Sequence, residues 1–258
     1  WAERSASRRG RARVTLSAAP VDVGPILRDR LFGQQTSVVL ASATLATGKG
    51  DFSLVATRLG CDAPRTAQLG SPFDYASQVR LVVDASMPDP RSPAYLDALV
   101  ERVLESIRET DGGAFVLFTS YASLRAVADR LRQPLLADGI PMLVHGEELS
   151  RTMLVERFRT DERSVLLGTA SFWQGVDVRG RALRNVIITR LPFEVPDRPL
   201  VRARQELIES RGGNAFMQDQ VPRAIIRFKQ GFGRLIRSST DTGQVVVLDP
   251  RIVTKPYG

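Results

Sequence analysis

The sequence predicts an α/β fold with one parallel sheet covered by helices on both faces. From Gln78 onward, short apolar segments alternate with amphipathic segments of about 10 to 16 residues, which is the pattern of strands joined by crossover helices. With 258 residues, 43 % of them hydrophobic, the chain is long enough to bury one good-sized core. No internal repeat interrupts the alternation.

The chain is predicted to consist of a tail and one domain. Residues 1–13 carry five arginines and no apolar periodicity, so we expect a linker or a disordered tail there. Residues 14–258 are expected to form a single domain. Its predicted strands are Val14–Leu16, Ser37–Ala41, Gln78–Asp84, Ala114–Phe118, Pro141–Val144, Ser164–Gly168, Asn185–Thr189 and Gln244–Leu248. Its predicted helices are Pro25–Phe32, Asp51–Gly60, Ala94–Glu109, Ser123–Ala137, Leu149–Arg159, Arg198–Ser210 and a cationic helix after Gln220.

Local signals set several of these bounds. Pro25 suits the first turn of a helix because its fixed φ is already helical. Asp51 can cap a helix start, and Gly60 suits the helix end that follows. Because ligands bind at the carboxyl ends of the strands in parallel sheets, the residues directly after strands are the first candidates for a site.

The charge favours a nucleic-acid partner. The formal net charge is +8, which is typical of nucleic-acid-binding proteins. Three lysines stand against 33 arginines, a ratio that a codon bias can also produce, so local clusters matter more than the total. The single cysteine, Cys61, excludes an internal disulfide, and the single histidine, His145, argues against a histidine-rich metal site. We therefore expect no metal site within the chain itself.

Nothing in the sequence indicates a membrane. No apolar run approaches the ~20 residues that a membrane span needs, and the first residues are too polar for a signal peptide. A soluble cytoplasmic protein is therefore the expectation. The chain begins with Trp1 rather than Met, so we expect it to be part of a longer protein.

A cationic stretch near the C-terminus has two faces at helical spacing. Between Gln220 and Thr240 there are five cations and no Asp or Glu, which favours an anionic ligand such as phosphate. Gly231 and Gly233 indicate either close approach to a neighbouring group or a helix that starts near Arg234. A basic amphipathic surface helix is the alternative. The apolar stripe is Ile225, Phe228, Phe232 and Leu235, and Arg227, Gln230, Arg234 and Arg237 would lie nearly opposite.

The stretch QGFGRLIRS resembles motif VI of superfamily 2 helicases, and is most similar to the XPD/DinG branch of DNA helicases. The resemblance covers residues 14–258 and implies a RecA-like fold, that of the second helicase motor domain. In that family two arginines of the motif reach the phosphates of ATP across a cleft. Arg234 and Arg237 are therefore expected to be catalytic arginine fingers, with Gln230 in the same ATP site.

The loop after Ser164–Gly168 resembles motif V of the same branch. It contains Trp173, Gly175 and Asp177, and Gln174 stands where the branch usually has an acid. The resemblance implies that Gly175 and Asp177 line the ATP cleft. From the residues alone, Asp177 could equally be a turn residue, and Trp173 could stack on a base or pack in the core.

Two more loops that follow predicted strands resemble helicase motifs. Ser42–Leu45 has the wording of motif III, and Thr119–Tyr121 resembles motif IV. The resemblance implies that Thr44, Thr119, Ser120 and Tyr121 contact single-stranded DNA. Ordinary capping of the next helix by Thr119 or Ser120 is the alternative.

Several parts of a complete motor are missing. The stretch Ala43–Gly50 approaches a phosphate-binding loop but lacks its first glycine and the hydroxyl residue after Lys49. Asp249 ends an apolar run but is followed by Pro250 rather than a Glu, and the family's iron–sulfur cysteines are absent. We therefore expect ATP and Mg²⁺ to be bound mainly by a missing first motor domain, with no iron–sulfur cluster in this fragment. The expected partners are single-stranded DNA and that first motor domain.

The sequence thus predicts the C-terminal motor domain of a DinG-like, ATP-dependent 5′→3′ DNA helicase, with this fragment inactive by itself. Two alternatives stay open. One is a non-catalytic nucleic-acid-binding module of RecA-like fold, and the other is an RNA-directed motor of the same superfamily.

Overall fold

The computed structural model describes residues 1–6, 12–34, 36–173, 178, 180–194 and 198–258. These residues fall into two compact units. Unit 1 comprises Trp1–Gln68 and Phe193–Arg223, and unit 2 comprises Leu69–Pro192 and Ala224–Gly258. The sequence analysis predicted a single domain over 14–258 and did not predict two units, because no linker or shift in composition marks the unit boundaries.

The secondary structure follows the predicted alternation from Gln78 onward. The described strands are β1 (Ala2–Ala6), β2 (Ala12–Leu16), β3 (Val79–Val83), β4 (Ala114–Leu117), β5 (Met142–Val144), β6 (Val165–Gly168), β7 (Asn185–Ile188) and β8 (Gly243–Val247). The described α-helices are α1 (Gly24–Leu27), α2 (Ser53–Leu59), α3 (Tyr75–Gln78), α4 (Tyr95–Glu109), α5 (Tyr121–Ala137), α6 (Arg151–Thr160), α7 (Pro199–Ser210), α8 (Val221–Phe232) and α9 (Arg251–Thr254). Each strand predicted after Gln78 is confirmed to within about two residues, the usual uncertainty of element ends.

Unit 2 is built on a six-stranded sheet with the order β3-β8-β7-β4-β6-β5. Every pairing in it is parallel, for example Ala114 of β4 opposite Val165 of β6 and Asn185 of β7. All residues of β4, β6 and β7 are buried, as expected for central strands covered on both faces. Because the strands are parallel, their carboxyl ends meet at one edge of the sheet.

Alternate residues of the strands supply two apolar cores. Val116 of β4 packs with Leu99 of α4 and Leu131 of α5 in one cluster. Phe115 of β4 packs with Phe158 of α6 in the other cluster, on the opposite face. Because successive side chains of a strand point to opposite faces, the two clusters lie on the two faces of the sheet, and helices pack against both. The predicted α/β class is therefore confirmed.

Unit 1 differs from the sequence prediction in two places. Ala2–Ala6 pairs antiparallel with Ala12–Leu16, although residues 1–13 were predicted to be a linker or disordered tail. Ser37–Ala41 was predicted to be a buried strand, and this prediction is wrong for the described structure. The segment has no regular structure and Val39 is 87 % exposed. An apolar run indicates a tendency to be buried, but it cannot supply the neighbouring strands that a sheet requires.

Helix α2 of unit 1 has the predicted ends. The Asp51 carboxylate accepts a hydrogen bond from the backbone N–H of Ser53, at 3.0 Å. Gly60 terminates the helix with a φ of 70°, a left-handed conformation that glycine adopts without steric cost.

The buried carboxylate of Asp219 is the main ionic centre of unit 1. It is 1 % exposed and accepts hydrogen bonds from Arg58 and Arg223, the second at 2.7 Å. Burial alone would raise the pKa of Asp219, but the hydrogen bonds from Arg223 and Arg58 outweigh it and hold the pKa below its ordinary value. Asp219 therefore stays ionised in the fold and links α2 to the start of α8.

We predict that Asp219→Asn lowers the free energy of unfolding by about 3 kcal/mol at neutral pH, because two half-buried guanidinium groups lose their carboxylate. The folded pKa lies below the unfolded value of 3.8, so the ion pair stabilises the fold above that value. This stabilisation disappears as the pH falls through the folded pKa. Urea unfolding should therefore show a larger difference between wild type and variant at pH 7 than at pH 3.

The matched control is Asp62→Asn, which removes an exposed carboxylate paired with Arg28 in the same unit. Exposed pairs contribute about 0–1 kcal/mol, so the control should change little. Equal losses in the two variants would contradict a central role for Asp219.

Candidate functional site

The carboxyl edge of the sheet in unit 2 carries the polar residues that follow the strands. Thr119 lies two residues after β4, His145 directly after β5, Thr169 directly after β6 and Thr189 directly after β7. The prediction that the residues after the strands share one edge is therefore confirmed for this part of the chain. This edge is the framework of the candidate site.

Trp173 connects the loops at this edge. Its indole N–H donates a hydrogen bond to the carbonyl oxygen of Phe118 at 3.1 Å, just beyond β4. Its own carbonyl oxygen accepts a hydrogen bond from Nη2 of Arg234 at 2.6 Å. The side chain is only 3 % exposed, so of the two predicted roles the structure favours packing in the core over stacking on a base.

Gly231 explains how α8 can pass so close to Trp173. A Cβ atom built on Gly231 would lie 3.0 Å from Cζ3 of Trp173 and 3.2 Å from Cδ1 of Leu117. These separations are shorter than normal van der Waals contacts, so a side chain would displace the indole. Of the two explanations given for the glycines, close approach is therefore the one that the structure favours at Gly231.

The expected face of aligned arginines is not formed, because α8 ends at Phe232. Arg234 and Arg237 lie beyond the helix, where turn-type hydrogen bonds join Arg234 N to Gly231 O and Leu235 N to Phe232 O. Arg234 is 6 % exposed whereas Arg237 is exposed. The physical reason is that Gly231 and Gly233 weaken the helix where Trp173 requires a close approach.

The turn after α8 is held by Asp241. One carboxylate oxygen of Asp241 accepts hydrogen bonds from the backbone N–H groups of Arg237 and Ser238, both at 2.8 Å. Burial alone would raise the pKa of Asp241, but these hydrogen bonds outweigh it and keep the pKa below its ordinary value. The backbone that carries Arg237 is therefore fixed although its side chain is exposed.

The other residues predicted for the ATP site are only partly described. Gly175 and Asp177 lie outside the described residues, as does Gln174. Gln230 lies in the last turn of α8 and is half-buried. Its role in an ATP site stays a prediction.

Three residues at the edge form a continuous hydrogen-bonded chain. The hydroxyl of Tyr121 lies 3.0 Å from Nε2 of His145, and Nδ1 of His145 lies 2.9 Å from Oγ1 of Thr169. Burial and the nearby charge of Arg151 lower the pKa of His145, so its ring is neutral at pH 7. Tyr121 is 44 % exposed, so the chain ends in a hydroxyl at the surface.

The predicted nucleic-acid residues have distinct positions. Ser120 caps α5, where its Oγ accepts a hydrogen bond from Ser123 N at 3.2 Å, and its contact with DNA stays a prediction. Thr119 is half-buried. Thr44 is half-buried in unit 1, whereas Thr119, Ser120 and Tyr121 belong to unit 2.

Two arginines at the edge were missed by the sequence analysis. The guanidinium of Arg125 lies 6.0 Å from the ring centre of Tyr121, and that of Arg151 lies 5.3 Å from the ring centre of Phe172. Arg151 is the first residue of α6 and Arg125 the fifth residue of α5, so both lie near the start of a helix that follows a strand. The capping serines Ser120 and Ser150 were the signal that could have found them.

Asp249 has a structural role at the same edge. Its carboxylate is fully buried and accepts hydrogen bonds from the backbone N–H of Leu191 at 2.8 Å and from the guanidinium of Arg251. The nearby hydroxyl of Tyr95 donates to the carbonyl oxygens of Thr189 and Leu248. Asp249 thus joins the segments after β7 and β8.

The described part of the chain contains neither a candidate metal-binding cluster nor a candidate membrane-spanning helix. No group of three or more His, Cys, Asp and Glu side chains is positioned there to hold a metal ion. None of the described helices is long and apolar enough to cross a membrane.

Residues 103–258 match the model of the helicase C-terminal domain family, which is more than half of the chain. The chain therefore belongs to this family. Its sequence is 41 % identical over 251 residues to the "ATP-dependent helicase DinG" of Mycobacterium tuberculosis, covering 96 % of this chain and 37 % of the relative. It is 38 % identical over 244 residues to the "ATP-dependent DNA helicase YoaA" of Escherichia coli, covering 95 % of this chain and 38 % of the relative.

A third relative carries a different name. The chain is 38 % identical over 251 residues to the "3'-5' exonuclease DinG" of Bacillus subtilis, covering 95 % of this chain and 27 % of the relative. The chain thus spans between about a quarter and two fifths of the length of these curated relatives.

The fold is also found in solved structures. The chain matches "XPD_Helicase" with a TM-score of 0.55 at 20 % identity, over 67 % of this chain and 32 % of that one. It matches "XPD_APO" with a TM-score of 0.50 at 19 % identity, over 68 % of this chain and 36 % of that one. The predicted RecA-like fold is therefore confirmed.

We predict that Gly231→Ala lowers the free energy of unfolding by about 1–3 kcal/mol, since the added methyl group overpacks against Trp173. In a Trp1→Phe background, Trp173 is the remaining tryptophan of this chain, and its emission should shift to the red as the indole is displaced. The control is Gly70→Ala, where an added Cβ meets no atom within 4 Å and φ is not left-handed. An unchanged emission in Gly231→Ala would contradict the close approach.

Proposed function

We propose that this chain is the C-terminal motor domain of an ATP-dependent 5′→3′ DNA helicase that acts together with a first motor domain. The family membership and the relatives named as ATP-dependent helicases support this proposal. The observation that carries it is the Trp173 contact, which joins the three loops resembling motifs IV, V and VI at one edge of the sheet.

In the proposed mechanism the chain acts on ATP that the first motor domain binds. Arg237, exposed on a backbone fixed by Asp241, would place a positive charge against the phosphates as they transfer. Arg234 would contribute a second charge while holding the loop through the carbonyl oxygen of Trp173. Gly175, Asp177 and Gln230 would line the same cleft.

Mg²⁺ would offset charge on the phosphates of bound ATP. We propose that its ligands belong mainly to the first motor domain. This agrees with the missing phosphate-binding loop around Ala43–Gly50.

Exposed apolar residues in unit 1 support a contact with the first motor domain. Val39 is 87 % exposed, and its neighbours Val38 and Leu40 are also exposed. Side chains of this kind normally lose contact with water in a stable interface. We propose that the segment Ser37–Ala41 adds to the sheet of the first motor domain, where its apolar run would be buried as the sequence predicts.

Single-stranded DNA would bind at the edge formed by Thr119, Ser120 and Tyr121. The DNA contact expected of Thr44, which belongs to unit 1, is a separate proposal. The start of α5 offers backbone N–H groups to a phosphate, and Arg125 adds a positive charge nearby. His145 would orient the Tyr121 hydroxyl through its hydrogen bond. Tighter binding to RNA than to DNA would favour the alternative of an RNA-directed motor.

We predict that Arg237→Gln in the intact protein lowers DNA-stimulated ATP hydrolysis by about 10³-fold without lowering the melting temperature, because its exposed side chain stabilises phosphate charge and not the fold. Arg234→Gln should lower both, since Arg234 also holds the carbonyl oxygen of Trp173. Steady-state ATPase rates and thermal unfolding measure the two effects. Arg130→Gln, an exposed arginine paired with Asp97, is the control. Near-normal ATPase in Arg237→Gln would contradict the proposal and favour the non-catalytic module.

We predict that Ser120→Ala weakens binding of single-stranded DNA about tenfold at low salt, because Ser120 and the helix start contact a phosphate. Ser150→Ala is the matched control, since Ser150 caps α6 in the same way, through Met153 N at 3.4 Å. Both variants should lose about 1 kcal/mol of stability. Fluorescence anisotropy with labelled oligodeoxythymidine measures the affinity. An equal loss in both variants would show that helix fraying, not a lost contact, is the cause.

A further inference from the structure

A cavity of about 450 Å³ lies within unit 1, outside the residues assigned above. Its walls come from α2, α7 and the π-helical turn Phe216–Gln220. Its lining combines apolar side chains such as Leu54 and Leu207 with charged ones, namely Arg58, Arg204, Arg211, Asp22, Asp51 and Asp219. Its volume falls within the range of about 300–1,000 Å³ that is common for small-molecule sites.

Nearly all the charges around the cavity are paired. Arg58 and Arg223 share the carboxylate of Asp219. Arg211 lies 3.4 Å from a carboxylate oxygen of Asp22. Among the charged residues that line the cavity, Arg204 and Asp51 form no ion pair with a residue that the structure describes.

Arg204 is half-buried and makes no hydrogen bond or ion pair with any residue that the structure describes. Its Nε atom is buried without an acceptor. Burial lowers the pKa of Arg204, the neighbouring charges of Arg223 and Arg58 lower it further, and the charges of Asp219 and Glu194 only partly oppose them. The buried Nε donor still lacks a hydrogen-bond acceptor, which an anion in the cavity would supply.

We propose that this cavity binds a phosphate ester carried on an apolar or aromatic body, such as a nucleotide, with Arg204 as its anchor. The planar guanidinium group can donate two parallel hydrogen bonds to phosphate oxygens. The hydroxyl of Thr57, one turn from Leu54 along α2, lines the same cavity and is a further donor. The apolar wall at Leu207 would take the base or another apolar part of the ligand.

A nucleoside phosphate can come from two sources. It could be a free nucleotide, or one nucleotide unit of a bound single strand. The recognition chemistry is the same in both cases, because each presents phosphate oxygens beside an aromatic base. The site uses none of the residues proposed for ATP hydrolysis or for DNA binding at the edge of unit 2, so it does not depend on that proposal.

The test is thermal unfolding of the 258-residue chain at constant ionic strength, with sodium chloride as the reference. The probes are inorganic phosphate, thymidine 5′-monophosphate and a single-stranded oligodeoxythymidine. Wild type should be stabilised by phosphate and more strongly by the monophosphate, because a ligand that binds only the folded state raises the melting temperature. Titration calorimetry with the monophosphate gives the Kd.

The decisive variant is Arg204→Gln, and Arg202→Gln is its matched control. Arg202 lies on the same helix but is 75 % exposed and paired with Glu206, and it does not line the cavity. We expect at least a tenfold increase in the Kd for the monophosphate in Arg204→Gln and no change in Arg202→Gln. Without ligand, Arg204→Gln should melt no lower than wild type, because burial and the charges of Arg223 and Arg58 outweigh the attraction of Arg204 to Asp219 and Glu194.

The oligonucleotide distinguishes the two sources. If Arg204→Gln weakens the binding of both the oligonucleotide and the monophosphate, the site binds a nucleotide unit of a strand. If it weakens the binding of the monophosphate alone, the site binds a free nucleotide.

Three outcomes would overturn the proposal. They are no stabilisation of wild type by phosphate or monophosphate, equal affinity in Arg204→Gln, and an equal loss in Arg202→Gln. Unfolding of both Arg204→Gln and the apolar variant Arg204→Met would also overturn it, since Arg204 would then be holding the fold.

Discussion

The carboxyl edge of unit 2 depends on the position of one indole ring. Trp173 donates to the carbonyl oxygen of Phe118 and accepts from Arg234, so the segments after β4, β6 and α8 share one buried side chain. Gly231 permits this arrangement because any larger residue would meet the ring. These loops carry most of the residues that we assign to ATP and DNA. A shift of the indole would therefore displace all three loops together.

Much of unit 2 could be predicted because its strands are buried on both faces. Runs such as Ala114–Phe118 are continuously apolar, and the helices between them have one apolar stripe, so both periods are visible in the sequence. Ser37–Ala41 has the same apolar composition, yet it is exposed here. The difference lies in the partner strands, which composition cannot reveal. The prediction of a tail over residues 1–13 failed for another reason, since the antiparallel pairing of β1 with β2 forms between segments without a continuous apolar run.

The candidate site was predictable where motifs follow strands, and not where contacts join distant residues. Spacing alone placed Arg234 and Arg237 on one helix face, which assumed that α8 continues past Gly233. The helix ends earlier because of a tertiary contact with Trp173, which no local rule contains. In the same way, the hydrogen bonds of His145 to Tyr121 and Thr169 cross 24 residues in each direction. The periodicities of helices and strands, 3.6 and 2 residues, do not indicate which residues make contact when they lie that far apart in the sequence.

The position of β3 has a consequence for how the chain folds during synthesis. In the sheet that the structure describes, β3 is at one end of the order and pairs with β8, in the register Val79 opposite Gly243. About 160 residues separate these partners, so β3 leaves the ribosome roughly 10–30 s before its neighbour at ordinary rates of translation. Throughout that interval its backbone groups have no strand to pair with. Strands β4 to β7 can assemble first, and the ribosome-bound chain therefore carries an unfinished sheet edge that chaperones can recognise until the last strand emerges.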